Sequence, residues 1–441
     1  MNSAGREQQA FSNNSGKIPK IYKNKNYLLL IQGGIVSNLG NSVRGIAITW
    51  FILTSAGMKN SGLVLALFSV CWIVPNIVLG PVSGALVDRI NRKFIIVSTD
   101  IFSGIFVLIL AFLTYINFMP LTSLMIITVI CSALSTLFEP AVSAVIPNIV
   151  HKNNLMKANS IQQMGNRIAM VTGAAIAGFL YYKFGIVGVF IIDGATFILS
   201  GLSELFIRLP KTKSKNRPAK EMRSFKKDVL DGLAYLRKDK PIFTLFIFAV
   251  ILNFCYAPLG TILIPKAIKF SLGLNAAYLG TVEAFFSLGI ITGTILLLFI
   301  SKKKNLNYHK IMIYSLMVSA FIILFFGVSI LPLIKHNVSS IHIFMLYCAI
   351  SLLLMLLNSF VNVPLFTIFQ KRVPDSYMGR FFALLTAFCL SMIPLANTIF
   401  GYFSDFISLY FLMFILGGLQ IVIIIFLAVS KEVKKLYFDT L

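Results

Sequence analysis

Apolar runs long enough to cross a bilayer follow one another from about residue 27 to residue 430, separated by short polar connections. About 20 such residues suffice for one helical crossing, and backbone polar groups inside a membrane must be satisfied within the helix itself. Breaking the runs at charges, Pro and Gly predicts spans near 27–54, 61–87, 94–115, 121–147, 160–181 and 186–207. A second set is predicted near 242–264, 275–300, 311–331, 341–369, 377–403 and 408–430. Apolar residues make up 57% of the 441 and charged residues only 12%, about half the share of a soluble domain, which excludes a soluble fold. Twelve crossings would consume roughly 240 residues and leave about 200 for tails and loops.

The formal charge of +24 suggests a nucleic-acid partner in a soluble protein; in a membrane protein it reports orientation instead. Alternate connections and the two tails hold 32 of the 39 basic residues, the opposite connections five, including Lys59, Lys183, Lys266 and Lys269. That asymmetry predicts cytoplasmic termini and an even number of spans, with the basic face against anionic lipid. Residues 1–26 form a polar, basic tail with no apolar leader, so the first span is expected to act as its own insertion signal. The stretch 209–240 reads as a cytoplasmic linker. Phe225, Val229, Leu233 and Leu236 fall at helical spacing there, which predicts a short amphipathic helix at the membrane surface. Residues 431–441 form the second tail.

Cys71, Cys131, Cys255, Cys348 and Cys389 all lie in apolar runs and read as small core residues. The four histidines lie in or beside polar connections. No cofactor, metal or catalytic group is therefore expected, and no nucleotide-binding or hydrolase motif is present. A weak echo relates the halves: FEPAVSAVIPNIV, with Pro140 and Pro147, and NVPLFTIFQKRVPD, with Pro364 and Pro374, end the fourth and tenth spans. Two bundles, 27–208 and 241–430, in parallel register with a site between them are what such a repeat suggests.

After the second span the chain reads Gly84-Ala-Leu-Val-Asp88-Arg89-Ile-Asn91-Arg92-Lys93. Asp88 is expected to cap a helix end, the three cations to hold the turn at the cytoplasmic face, and Gly84 to admit a neighbouring helix. The stretch resembles the signature of the major facilitator superfamily, with Asn91 in place of a Gly; Asn tolerates a left-handed turn. QGGIVSNLGNSVRGIAITWFIL, FEPAVSAVIPNIVHKNNLMKANSIQQM and NVPLFTIFQKRVPDSYMGRFFALL are similar to the twelve-span drug–proton antiporters that include the macrolide efflux proteins.

That resemblance implies an all-α membrane protein with the major facilitator fold, twelve helices in two six-helix bundles, working as a monomer in a bacterial cytoplasmic membrane. It implies secondary active efflux of a hydrophobic or amphiphilic small molecule, macrolide-like, by alternating access in exchange for protons. The alternative on the same fold is a lysophospholipid or siderophore exporter. Two departures bear on coupling. Gly173-Ala174-Ala175-Ile176-Ala177-Gly178 lacks the Pro and one Gly of the family's antiport element, and Gly40-Asn41 stands where a Gly-Asp is common.

Charges at membrane depth cost about 2.5–3.5 kcal/mol each on insertion scales, so each is a functional candidate. Glu139, beside Pro140, is the first candidate proton carrier, with Asp193 and Glu283 behind it. Arg44 and Glu283 lie at similar depth in different bundles and are expected to pair as a gate. Asp100 is expected to tether Arg89 or Arg92, and Glu204 to pair with Arg208 one turn away. Asn38, Asn41, Asn253, Asn358 and Asn362 lie on the first, seventh and tenth spans, which line the cavity in the family.

Overall fold

The computed structural model describes residues 21–208 except 119, together with 234, 236, 239–300 and 308–429. The two tails, 1–20 and 430–441, and nearly all of the expected linker helix lie outside the described residues. The described residues are helical throughout, with no strand among them, and ten of the helices are long and apolar enough to cross a membrane. They are α1 (Lys25–Arg89), α2 (Arg92–Tyr115), α3 (Leu121–Ile149), α4 (Leu155–Glu204), α5 (Lys240–Ser271) and α6 (Ala276–Ile300). The short α8 (Pro332–Asn337) then separates α7 (Tyr308–Ser329) from α9 (Ser340–Arg372), α10 (Asp375–Phe403) and α11 (Leu409–Val429).

At 65 residues α1 would be ~98 Å long if straight, three times the hydrocarbon thickness. It is instead two helices joined across Gly57 (φ 68°, ψ −176°), and α4 is likewise two joined across Gly185 (φ 64°, ψ −174°). That region of backbone space is essentially reserved to glycine. The polar connections expected at 55–60 and 182–185 are thus single-residue breaks, because one glycine there turns the chain without a loop.

The predicted seventh span was too short. α5 runs on to Ser271, with π-helical segments at Leu259–Leu263 and Ala267–Ser271 on either side of Pro265, whose missing N–H loosens the ladder. Lys266 and Lys269, counted by sequence among solvent-facing connections, are therefore helix residues, and Lys266 is wholly buried.

Three apolar cores hold the helices together. One belongs to the first half, around Tyr27, Leu30, Val145 and Ile146, and one to the second half, around Leu245, Phe246, Phe369 and Phe381. The third takes residues from both: Ile52, Leu53 and Phe190 pack in one cluster with Ile264, Phe326 and Tyr347. The shared core lies at the end marked by Gly57 and Gly185. At the opposite end, marked by Arg89 and Arg92, the halves keep separate cores. Leu236, the buried residue from the expected linker helix, joins the second-half core. Large apolar side chains such as Phe112, Phe206, Val422 and Phe426 stand more than 60% exposed, the surface of a multi-pass membrane protein rather than of a soluble one. Cys131, Cys255 and Cys348 are buried and Cys71 and Cys389 half-buried, all as free thiols.

Candidate functional site

A cavity of about 510 Å³ lies between the halves. The first half contributes most of its wall, including Asn41, Ile48, Phe68 and Trp72; the second half adds Thr261, Pro265 and Glu283. Glu283 has no hydrogen bond or ion pair among the described residues. The wall is mostly apolar with a few polar groups, the usual make-up of a small-molecule site.

A polar crevice opens from this cavity into the first half. Asn38, Asn41, Arg44, Cys131 and Ser135 border both spaces, and Asp100 and Glu139 line the crevice, which has room for a water molecule. Arg44 Nη1 donates to Asp193 Oδ2 at 2.8 Å, its Nη2 donates to Asn41 Oδ1, and its guanidinium lies 5.5 Å from the Phe197 ring centre. Asp193 is wholly buried, and a Cβ on Gly40 would overlap its Oδ1, so the glycine leaves the space that the carboxylate fills. Glu139 is exposed to the crevice. Asp100 accepts from Ser37 Oγ at 2.9 Å.

The cavity is closed toward the Gly57 end by three contacts between the halves. In the first, Lys266 Nζ reaches Asp405 Oδ1 at 2.7 Å and Ser404 O at 2.9 Å within the second half and crosses to Met58 O of the first at 3.0 Å, while Asp405 also accepts from Gly62 N and Leu63 N of the first half at 2.9 and 3.0 Å. These two amides lie five and six residues beyond the Gly57 break. Gly62 and Gly401 bring α1 and α10 together there, since a Cβ on Gly62 would overlap Gly401 O. In the second, Gly178 of α4 lies against the backbone of Ala276 and Ala277, and a Cβ on Gly280 would come within 2.7 Å of Ala174 O; small residues allow this approach. In the third, Asn397, wholly buried, donates to Ser69 Oγ and accepts from Thr261 Oγ1. Lys269 adds a cation–π contact across the halves, 4.8 Å from the Trp50 ring centre.

At the other end Arg92 Nη1 donates to Ala144 O and Lys93 Nζ to Leu205 O, tying α2 to α3 and to the end of α4 within the first half. Arg89 is exposed. Asn91 caps α2 by accepting from Lys93 N, with φ −61° and ψ 114°.

The family model described as Major Facilitator Superfamily matches residues 30–396, more than four-fifths of the chain. The chain belongs to the major facilitator superfamily. It is 25% identical over 404 residues to macrolide efflux protein A of Streptococcus pyogenes, covering 92% of this chain and 95% of that one. Among solved structures, a bacterial homologue of the iron transporter ferroportin in its inward-facing state superposes with a TM-score of 0.66 at 14% identity, covering 93% of this chain and all of that one. The outward-facing state of a bacterial ferroportin homologue gives 0.54 at 16% identity, over 92% of this chain and all of that one. The chain is thus a transporter with the major facilitator fold, not an enzyme.

Within this fold several expected pairings are replaced by others. Arg44 and Glu283 share the cavity wall without forming the expected gate pair, because Arg44 is held by Asp193 and Asn41 inside the first half. Asp100 takes its hydrogen bond from Ser37 instead of tethering Arg89 or Arg92. Glu204 does not pair with Arg208; it is wholly buried and both its oxygens lack a partner among the described residues. Gly84 admits no neighbour among the described residues, none of which lies within 4 Å of where its Cβ would be, and Asn91 acts as an extended cap, not a left-handed turn. The side chain of Asp88 lies outside the described residues.

Asn38 and Asn41 line the cavity. Asn253, Asn358 and Asn362 are not among its lining residues: Asn253 donates to Ala249 O and Asn362 to Asn358 Oδ1. The segment Gly173–Gly178 runs as unbroken helix between α1 and α6, so its small residues serve packing without a kink. Lys266, Asp405 and Glu204 were missed as site residues. Lys266 read as a connection residue once the seventh span was ended at 264, Asp405 read as one between the eleventh and twelfth spans, and Glu204 was assigned to the nearest cation in sequence.

Proposed function

We propose that the protein is a secondary active exporter of an amphiphilic, macrolide-like compound, working by alternating access in exchange for protons. The carrying observation is a mostly apolar cavity between two halves that share a core and interlock at one end while keeping separate cores at the other. On this reading α1 and α4 each cross the membrane twice, giving twelve spans in two bundles, 27–208 and 241–430, and both termini are cytoplasmic. The basic-residue asymmetry then makes the Lys266–Asp405 end extracellular and opens the cavity toward the cytoplasm and its anionic lipids. The better superposition on an inward-facing relative fits this state. The likeness to a macrolide efflux protein supports the direction and the substrate class, and no observation requires more than one copy of the chain.

Glu139 is the first candidate proton carrier, because it stands in the crevice that borders the cavity and no ion pair holds it among the described residues. Asp193 is committed to Arg44, and Glu283 faces the cavity itself. In proteoliposomes, a macrolide is expected to accumulate only under an imposed pH gradient, and Glu139→Gln is expected to abolish that dependence. Uptake indifferent to the gradient removes proton exchange. Preferential movement of a lysophospholipid or a siderophore in the same vesicles replaces the substrate class.

A further inference from the structure

Glu204 belongs to neither the cavity nor the closure. It ends α4, has no exposed surface, and neither carboxyl oxygen has a hydrogen-bond partner among the described residues. Gly33 of α1 leaves the slot it occupies: a Cβ there would come within 2.7 Å of Glu204 Oε1 and 2.8 Å of Ser200 Oγ. Asp100 of α2, only 3% exposed, lies where α2 and α4 pack closely: a Cβ on Gly201, three residues before Glu204, would come within 2.8 Å of the Ile101 side chain and 3.3 Å of Val97 O. The hydroxyl donor of Asp100, Ser37, lies one helical turn from Gly33. Three helices thus close around two carboxyl groups.

The surrounding charges are committed elsewhere. On α1, Arg44 is bound to Asp193 and Asn41. On α2, Lys93 Nζ is bound to Leu205 O at 2.6 Å and Arg92 Nη1 to Ala144 O. On α4, Asp193 adds negative charge toward Asp100, and beyond the helix end Arg208 is exposed. On α3, Glu139 shares the crevice with Asp100. Two ionised carboxylates in so enclosed a place repel one another and lack the donors that would replace water. Asp100 has a hydroxyl to stabilise its charge; Glu204 has none.

We propose that Asp100 and Glu204 form a proton-binding site, separate from the central cavity, that holds a single proton on Glu204. Binding converts one carboxylate to a carboxylic acid; release returns the proton to water in the crevice, and no electrons move. Asp100 lines that crevice and Glu204 is sealed behind it, so the proton passes by way of Asp100. Lys93 grips the carbonyl of the residue after Glu204, so charging the site alters the electrostatics of the link between α2 and α4. Use of the site in coupling rests on the antiport reading above, whereas its existence does not.

The test is pH-dependent difference infrared spectroscopy of the full-length protein in lipid without substrate, where a protonated carboxyl has a carbonyl band distinct from carboxylate bands. Glu204→Gln is expected to remove one such band, and Glu139→Gln to retain it. Gly33→Ala, which keeps Glu204 but fills its slot, is expected to shift that band. A spectrum unchanged in both Glu204→Gln and Gly33→Ala overturns the proposal, as does a band abolished by sodium chloride but not by choline chloride at fixed pH, which marks a metal-cation site. If the band behaves as expected while macrolide uptake ignores a pH gradient, the proton site stands and antiport falls. If uptake is proton-driven and Glu204→Gln leaves the band in place, antiport stands and this site falls.

Discussion

Lys266→Met opens the closed end of the cavity. Lys266 is wholly buried and its ammonium group ties its own helix to two other segments, at Met58 and at Ser404–Asp405. Breaking a buried ion pair by removing one partner costs about 3–5 kcal/mol, because the remaining charge stays in dry surroundings. Here that cost falls on the closed arrangement, since Asp405 regains water when the halves part. At ~1.4 kcal/mol per factor of ten, the closed population falls by a hundredfold or more relative to the open one. A cysteine at Thr49, on the cavity wall, placed in a chain whose five native cysteines are replaced, reports the change. Its reaction with an impermeant maleimide added outside accelerates by about that factor. The double variant Lys266→Met/Asp405→Leu slows labelling again in part, since no unpaired charge stays buried while Gly62 N and Leu63 N lose their acceptor. Labelling unaltered by Lys266→Met means the pair does not hold this end shut.

Asp193→Asn is expected to have a comparable cost on the fold instead of on the conformational balance. Arg44 and Asp193 both lie within the first half and, whereas Lys266 and Asp405 bond across to Met58, Gly62 and Leu63, neither bonds to the second half among the described residues, so opening either end leaves them in place. The variant leaves the guanidinium, 5% exposed, with Asn41 and the Phe197 ring as its main neighbours. A loss of about 3–5 kcal/mol in stability follows, seen as a lowered thermal midpoint of the purified protein in detergent. Arg44→Met/Asp193→Leu recovers most of the midpoint, yet export stays impaired because the crevice loses its polar wall. A wild-type midpoint in Asp193→Asn contradicts the assignment of this pair as a structural tie.

The helical, membrane-crossing class of the fold was readable from run length and charge, because a bilayer imposes both demands on any sequence that crosses it. The residues of the motif loop were equally readable, but their partners were not. Arg92 and Lys93 bond to backbone carbonyls at Ala144 and Leu205, and a carbonyl is present at every position, so no side chain marks these two. The Arg44–Asp193 pair spans 149 residues of sequence, and each member taken alone has several plausible partners of opposite charge. Glu204 shows the same difficulty in reverse: Arg208 is one turn away, yet the chain leaves its helix after Glu204 and Arg208 faces out. The short estimate of the seventh span arose because Pro265 and Lys266 together look like a helix end, whereas π-helical turns absorb the proline and Asp405 neutralises the lysine.

The central claim is that two halves exchange openings about one cavity. Spin labels at Ile90 and Lys371 span the end where the cores are separate, and labels at Lys59 and Ser408 span the interlocked end; all four positions are exposed. Pulsed electron resonance on each pair, with pH and macrolide varied, measures the two separations. The account predicts opposite movement, with the Lys59–Ser408 distance lengthening under the conditions that shorten Ile90–Lys371. Distances that lengthen together, or that stay fixed at both ends while substrate crosses, contradict it.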